Sequence, residues 1–228
     1  MKNKLWIYGC SYSNDAYFPR YDKGWFDYIA DEFDLEYMNR TQPGYGWSYH
    51  RDILYGDIPH WSDDDIIIIE SSHLVRMYSP YLQTRFCQFK YCPEYHCPIE
   101  DNDEKYLENL LYISKDIDEI RKENWSQFTQ SLQFLKKYVK RWYWWSFEFY
   151  PDRVEMPKFI EQTFGDRFLS FENGIKTFDI WMRENPKYCF DESVGDLHQT
   201  YECHKKQGEL FLNQIKEYEK GKTTNYNL

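Results

Sequence analysis

The run from Asp63 to Ile69 constrains the fold of this chain more than any other segment. Four consecutive β-branched isoleucines follow three aspartates, which predicts a strand that begins at Ile66. Continuous rather than alternating apolar residues indicate a strand that is covered on both faces, as in a parallel sheet flanked by helices. The sequence therefore predicts an α/β domain built around this strand.

The remainder of the chain alternates between strand-like and helix-like patterns. Further strands are predicted at residues 4–9, 36–39, 142–150 and 167–171, whereas helices are predicted at 24–33, 48–55, 103–139 and 201–219, the third with a break near Asn124. Residues 174–183 fit either pattern. This alternation predicts a mainly parallel sheet of about five strands with helices on both faces. At 228 residues, we expect a single domain, 1–228, with residues 77–125 as an inserted lobe.

The charge of the chain argues against two classes of partner. With 28 Lys and Arg against 38 Asp and Glu, the net charge is −10, which repels nucleic-acid phosphates and anionic lipids. The basic residues at 136–141 are interpreted instead as the end of a helix, where the helix dipole favours cations. We also see no apolar run long enough to span a membrane and no signal-peptide pattern, so we expect a cytoplasmic protein without nucleic-acid or membrane partners.

The spacing of three of the six cysteines suggests a metal site, but the rest of the pattern does not support one. Cys87, Cys92 and Cys97 lie at regular intervals with His96 beside them, yet no second Cys/His pair follows to complete a zinc site. Reduced thiols are the expectation for a protein without a signal peptide. No metal or other cofactor is predicted.

Residues with catalytic potential follow or precede the predicted elements at one end of the sheet. Ser11 comes just after the first strand, and Asp196 and His198 come just before the last helix. Ligands of open α/β sheets bind at the carboxyl ends of the strands. A serine nucleophile needs a base within hydrogen-bond reach and an acid that orients the base, and these three residues supply those types.

Three segments resemble the sequence blocks of the SGNH (GDSL-like) hydrolases, and they occur in the order of that family. The first is Gly9-Cys10-Ser11-Tyr12-Ser13, which is similar to the Gly-Asp-Ser-x-Ser that follows the first strand in the family. The second is Asn39 to Ser48, with its Pro-Gly loop, and the third is Asp196 to Thr200 before the last helix. The order of these blocks and their distances from both termini fit the family along almost the whole chain, whereas residues 77–165 match no motif.

The resemblance implies a flavodoxin-like three-layer α/β/α sandwich that hydrolyses an ester or acetyl ester through an acyl-serine. Ser11 is then the nucleophile, His198 the base and Asp196 its acidic partner. The oxyanion hole would consist of the backbone N–H groups of Ser11 and Gly44, with a side-chain donor from Ser72.

The chain departs from the family pattern in three places. Cys10 replaces the aspartate of the first block, and Glu70 to His73 replaces the family's Gly-x-Asn-Asp. Gly195 stands where the family has the aspartate of the last block, so Asp196 is one residue closer to the histidine. The alternatives that stay open are Gly46 in place of Gly44, and an oxyanion hole without a side-chain donor in place of Ser72. Asp191 or Glu192 could replace Asp196, or the histidine could act without an acid.

Two readings of the function follow. His73 and Arg76 are candidates to line the substrate pocket, and the aromatic run at 142–145 favours a small or glycan-borne ester, because aromatic rings stack on sugars. The alternative is a catalytically degenerate protein of the same fold that acts as a structural or binding component of a larger assembly with protein partners. Abundant Tyr, Asn, Ile and Lys are typical of a phage-like, AT-rich genome, which would place such a component in a virion.

Overall fold

The computed structural model describes residues 2–10, 13, 23–42, 47–71, 76–79, 84–87, 117–147, 158–188 and 199–225. The main sheet contains four strands, β1 (Lys4–Tyr8), β2 (Glu36–Asn39), β3 (Ile66–Ser71) and β6 (Trp142–Ser146). Their order is β2-β1-β3-β6, and every neighbouring pair is parallel. The predicted strands at these four places are therefore confirmed. The isoleucine strand occupies an interior position, as its continuous hydrophobic pattern requires.

The predicted fifth strand at 167–171 is not formed. Phe168 makes an isolated parallel bridge to Trp144, and the Leu169 N–H donates to the Trp144 carbonyl at 2.8 Å. Short 3-10 helices at Gly165–Arg167 and Glu172–Gly174 flank this bridge, so the backbone leaves the extended conformation on both sides. An antiparallel hairpin of β4 (Arg76–Ser79) and β5 (Thr84–Cys87) lies outside the main sheet.

Within the described ranges, six α-helices connect and cover these strands. They are α1 (Trp25–Glu32), α2 (Trp47–Asp57), α3 (Ile117–Tyr138), α4 (Lys158–Phe164), α5 (Phe178–Glu184) and α6 (Tyr201–Asn225). The predicted break near Asn124 is wrong, because α3 continues through this residue. Asn124 is buried beside Trp125, and packing overrides its weak helix propensity. Residues 88–116, most of the predicted inserted lobe, lie outside the described part of the chain.

Alternate side chains of the sheet enter two separate hydrophobic clusters. Leu5, Ile68 and Trp145 pack with α1, α5 and α6 on one face. Their neighbours Trp6, Ile69 and Trp144 pack with α2, α3 and α4 on the other face. The four parallel strands thus have helices on both faces, an arrangement compatible with a three-layer sandwich. None of the helices in the described ranges combines the length and apolarity needed to cross a bilayer.

Asp65 anchors the amino-terminal edge of the sheet. Its side chain is 2% exposed and accepts hydrogen bonds from Lys4 N at 2.8 Å, Trp6 Nε1 at 2.8 Å, and Ser62 N and Oγ at 3.0 and 2.7 Å. Burial alone would raise the pKa of Asp65, but these donors outweigh burial and hold the pKa below its usual value. The ionised carboxylate therefore ties the start of β3 to β1.

Asp65→Asn is expected to lower the free energy of unfolding at pH 7 by about 1.5–3 kcal/mol, since hydrogen bonds to a charged group are lost. The pKa of Asp65 is lower in the folded than in the unfolded chain. Its stabilising effect is therefore present above the unfolded value of about 3.9 and is lost as the pH falls through the folded value. Urea unfolding of wild type and Asp65→Asn between pH 7 and pH 2 measures this loss of stability. The exposed neighbour Asp64 provides the control Asp64→Asn, which is expected to lie within about 0.5 kcal/mol of wild type.

Candidate functional site

Polar side chains gather where the parallel strands end. β1, β2, β3 and β6 all finish at the same edge of the sheet, at Tyr8, Asn39, Ser71 and Ser146. The Ser71 hydroxyl donates to the Ser146 hydroxyl at 2.8 Å, and both residues are buried. This carboxyl edge is where open α/β sheets bind their ligands.

Glu70 is a fully buried carboxylate at this edge. It accepts hydrogen bonds from Cys10 N at 3.2 Å, from the Cys10 thiol at 2.7 Å and from the Ser13 hydroxyl at 2.7 Å. The register pairs Tyr8 with Ile69, so the next residue, Gly9, lies beside Glu70. A Cβ on Gly9 would lie 2.4 Å from Glu70 Oε2 and 2.6 Å from Glu70 Cβ, so only glycine allows this close approach.

The segment after β1 is also joined to the segment after β2. The Ser13 N–H donates to the Cys10 carbonyl at 3.1 Å, which closes a turn, and the Gln42 N–H donates to the Gly9 carbonyl at 2.9 Å. Asn39 Nδ2 donates to the Ser13 carbonyl at 3.4 Å. Three strands therefore contribute to the structure around Cys10 and Ser13.

The direction of α6 places its first turn at the same edge. A Cβ on Gly208 would lie 2.7 Å from the Trp25 carbonyl oxygen, and Lys216 pairs with Glu32 at 2.6 Å. Gly208 is thus near the start of α1, and Lys216 is near its end. The two helices run side by side in the same direction, and α1 is the next described helix after β1, which ends at the carboxyl edge.

Contacts of Glu219 give the same direction independently. Its carboxylate pairs with Arg141, just before β6, and accepts a hydrogen bond from the Tyr143 hydroxyl. This end of α6 is therefore at the amino-terminal edge of the sheet. About 27 Å of helix separates Tyr201 from Glu219, whereas β6 spans about 17 Å, so Tyr201 lies at the level of the carboxyl edge.

The residues that lead into α6 are held in place. Thr200 Oγ1 accepts from the Cys203 N–H at 3.2 Å, as an N-cap residue does, and the Thr200 N–H donates to the Tyr188 carbonyl at 3.3 Å. Gln199 is buried and donates from Nε2 to Gln207 Oε1 at 2.6 Å. Gln199 and Thr200 are thus fixed at the start of α6, at the carboxyl edge.

Most residues of the predicted site fall outside the described part of the chain. These are Ser11, Gly44, Ser72, His73, Asp196 and His198, together with the alternatives Gly46, Asp191, Glu192 and Gly195. Arg76 is the first residue of β4, whose backbone alone is described. The distance from the Ser11 hydroxyl to the His198 imidazole, on which base catalysis depends, therefore stays a prediction.

The part that Glu70 plays was not predicted from the sequence. In the resemblance to the SGNH pattern, Glu70 to His73 only replaced the third block, with Ser72 as the expected donor. The missed signal was a lone carboxylate that directly follows four isoleucines, since a charged residue in a buried strand needs partners. Cys10 is one of these partners, because its thiol donates a hydrogen bond to Glu70.

Comparison with known proteins assigns no family. Neither the scan against protein-family models nor the search of curated proteins finds a match to this chain. Among the described residues, no group of three or more His, Cys, Asp or Glu side chains is arranged to hold a metal ion. The geometry of the carboxyl edge is therefore the basis for a functional proposal.

Proposed function

We propose that this chain is a serine hydrolase of the SGNH (GDSL-like) type that cleaves a small or glycan-borne ester. In this proposal the fold is a flavodoxin-like three-layer sandwich with a helical or irregular insertion. The observation that carries the proposal is that β1 ends, and α6 starts, at the same edge of the sheet. The segment that leads into Ser11 leaves β1 at the carboxyl edge, and α6, which follows Asp196 and His198, starts at that same edge.

The second support is the ordered polar structure at the end of β1. A nucleophile must be held in one geometry, because misplacement by about 1 Å can cost 10²-fold in rate. Cys10 and Ser13, which flank Ser11 and Tyr12 in sequence, are both hydrogen-bonded to Glu70. The contact from Asn39 to the Ser13 carbonyl adds the second sequence block to this arrangement.

The proposed reaction uses no cofactor. His198 takes the proton of Ser11 as Ser11 Oγ attacks the ester carbonyl carbon, and Asp196 orients the imidazole. The backbone N–H groups of Ser11 and Gly44, with Ser72, stabilise the oxyanion. His198 returns the proton to the leaving alkoxide, and then activates water, which attacks the acyl-serine and releases the acid.

Substrate contacts in this proposal come from His73 and Arg76, next to the end of β3. Both side chains can donate hydrogen bonds to the oxygens of an ester or a sugar. The aromatic run at 142–145 does not supply a sugar platform, because Trp142, Tyr143, Trp144 and Trp145 are all buried. The sequence argument for stacking on a glycan therefore no longer applies. The proposed substrate is an ester, and its alcohol part is not specified.

A structural or binding component of a larger assembly is the second candidate. It is favoured by two exposed aromatic side chains, Tyr138 at the end of α3, which is 62% exposed, and Phe159 on α4, which is 52% exposed. Exposed aromatic residues are enriched in protein interfaces. A protein of this kind would need no nucleophile, which makes the two candidates separable by chemistry.

Reaction with a fluorophosphonate tests the proposal. We expect the probe to modify Ser11 of the wild-type protein at one site per chain, because only an activated serine attacks phosphorus rapidly. Peptide mass spectrometry measures the labelled position. Ser11→Ala is expected to abolish labelling, whereas Ser126→Ala, which removes an exposed serine on α3, is expected to leave it unchanged.

Two results would contradict the proposal that the chain is a serine hydrolase. One is folded wild-type protein that the probe does not label, and the other is labelling that persists in Ser11→Ala. The structural component would then be the better description, and sedimentation with candidate assembly partners would be the next measurement.

A further inference from the structure

We propose that Glu70 is a positioning residue that fixes the nucleophile segment, an inference that rests on the proposed serine hydrolase. Glu70 lies at the end of β3, and its side chain accepts hydrogen bonds from Cys10 and Ser13 in the segment after β1. Because these two residues flank Ser11 and Tyr12 in sequence, Glu70 acts on the reaction through the backbone on either side of Ser11.

The number and kind of donors support this role. Three donors from two residues converge on one carboxylate: a backbone N–H, a thiol and a hydroxyl. A buried carboxylate is strongly unfavourable unless such donors surround it. Moving Cys10 or Ser13 would therefore leave a buried charge with fewer hydrogen bonds, so Glu70 resists displacement of the turn that contains Ser11.

The contacts also distinguish between two neighbouring nucleophiles. The Cys10 thiol is fully buried and donates a hydrogen bond to the carboxyl group of Glu70. A thiolate beside a carboxylate would be repelled. Cys10 is thereby held as an inert thiol although it precedes Ser11. Its backbone N–H is occupied by Glu70 as well, so the oxyanion donor from this turn has to be the N–H of Ser11 and not that of Cys10.

Glu70→Gln tests the proposal with little change of shape. An amide has one acceptor oxygen and an NH₂ group. Cys10 N and the Ser13 hydroxyl both donate to Oε2, whereas the Cys10 thiol donates to Oε1, so this variant loses either the thiol contact or the other two. We expect kcat for p-nitrophenyl acetate and the fluorophosphonate labelling rate constant of Ser11 to fall about 10²-fold, with KM nearly unchanged. The final extent of labelling stays at one per chain, because the defect is in geometry rather than in the folded fraction.

Asp65→Asn is the matched control. Asp65 is another buried, hydrogen-bonded carboxylate next to β3, but it lies at the opposite edge of the sheet. We expect this variant to lose stability while its labelling rate constant stays within about twofold of wild type. Cys10→Ser, which keeps a side-chain donor, is expected to retain more activity than Cys10→Ala.

Hydrogen exchange of the backbone amides in residues 9–13 separates this proposal from the proposed function. We expect faster exchange there in Glu70→Gln but not in Asp65→Asn. If wild-type Ser11 is unlabelled, the proposed hydrolase activity is wrong, and the exchange rates alone decide whether Glu70 fixes the turn.

The positioning role would be wrong if the amides of residues 9–13 in Glu70→Gln exchange at the same rate as in wild type. It would also be wrong if Ser11 in this variant is labelled at the wild-type rate. Should Glu70→Gln not fold, Cys10→Ala and Ser13→Ala each remove one donor, and unchanged exchange and labelling in both would overturn it as well.

Discussion

His198→Ala is expected to lower kcat/KM for p-nitrophenyl acetate by about 10³-fold or more, because Ser11 then lacks a base to accept its proton. Steady-state hydrolysis, followed by release of p-nitrophenolate, measures the effect. The exposed histidine His60 offers the control His60→Ala, which is expected to retain wild-type activity. Equal rates for wild type and His198→Ala would remove the histidine from the mechanism.

The double variant Ser11→Ala/His198→Ala makes the test sharper. Residues of a catalytic unit are strongly non-additive, since loss of one leaves the other without a function. The double variant is therefore expected to be no slower than Ser11→Ala alone. If the two effects multiply, Ser11 and His198 contribute separately, and the proposed proton transfer between them is wrong.

Gly9→Ala is expected to have the largest effect on stability. The new methyl group would lie 2.6 Å from Glu70 Cβ and 2.4 Å from its carboxylate, and rotation of the side chain relieves only the second contact. Overpacking costs about 1–3 kcal/mol, and breaking the hydrogen bonds of Glu70 adds about 1–3 kcal/mol. We expect a decrease of about 2–6 kcal/mol in the free energy of unfolding by urea.

Gly56→Ala is a control in which the free energy of unfolding is expected to increase rather than decrease. Gly56 lies in α2, and a Cβ there would meet nothing within 4 Å. Alanine is favoured over glycine in helices, so a gain of about 0.4–1 kcal/mol is expected. A Gly9→Ala variant as stable as wild type would show that β1 and β3 are farther apart than described.

The sequence contained enough information for the sheet because its strands carry strong local signals. The four isoleucines from Ile66 and the aromatic run from Trp142 can be buried on both faces only in an interior or covered strand. The strand predicted at 167–171 failed for the converse reason. Its residues are apolar because they fill the core, and Phe168 and Leu169 are buried without forming a strand.

The candidate site was less predictable from sequence. Glu70 and Gly9 are 61 positions apart in the chain, and their proximity follows only from the register between β1 and β3. A one-residue shift in that register would have moved Glu70 to the other face of the sheet. Ser11 and His198, in contrast, were selected by resemblance and local context, and they stay predictions that the experiments above decide.

The alternation along β6 has a spectroscopic consequence. Trp144 and Trp145 are consecutive and both fully buried, yet their indoles lie in hydrophobic clusters on opposite sides of the sheet. Fluorescence changes from single Trp144→Phe and Trp145→Phe proteins would therefore show whether the two halves of the interior lose their order together or in succession as the temperature rises.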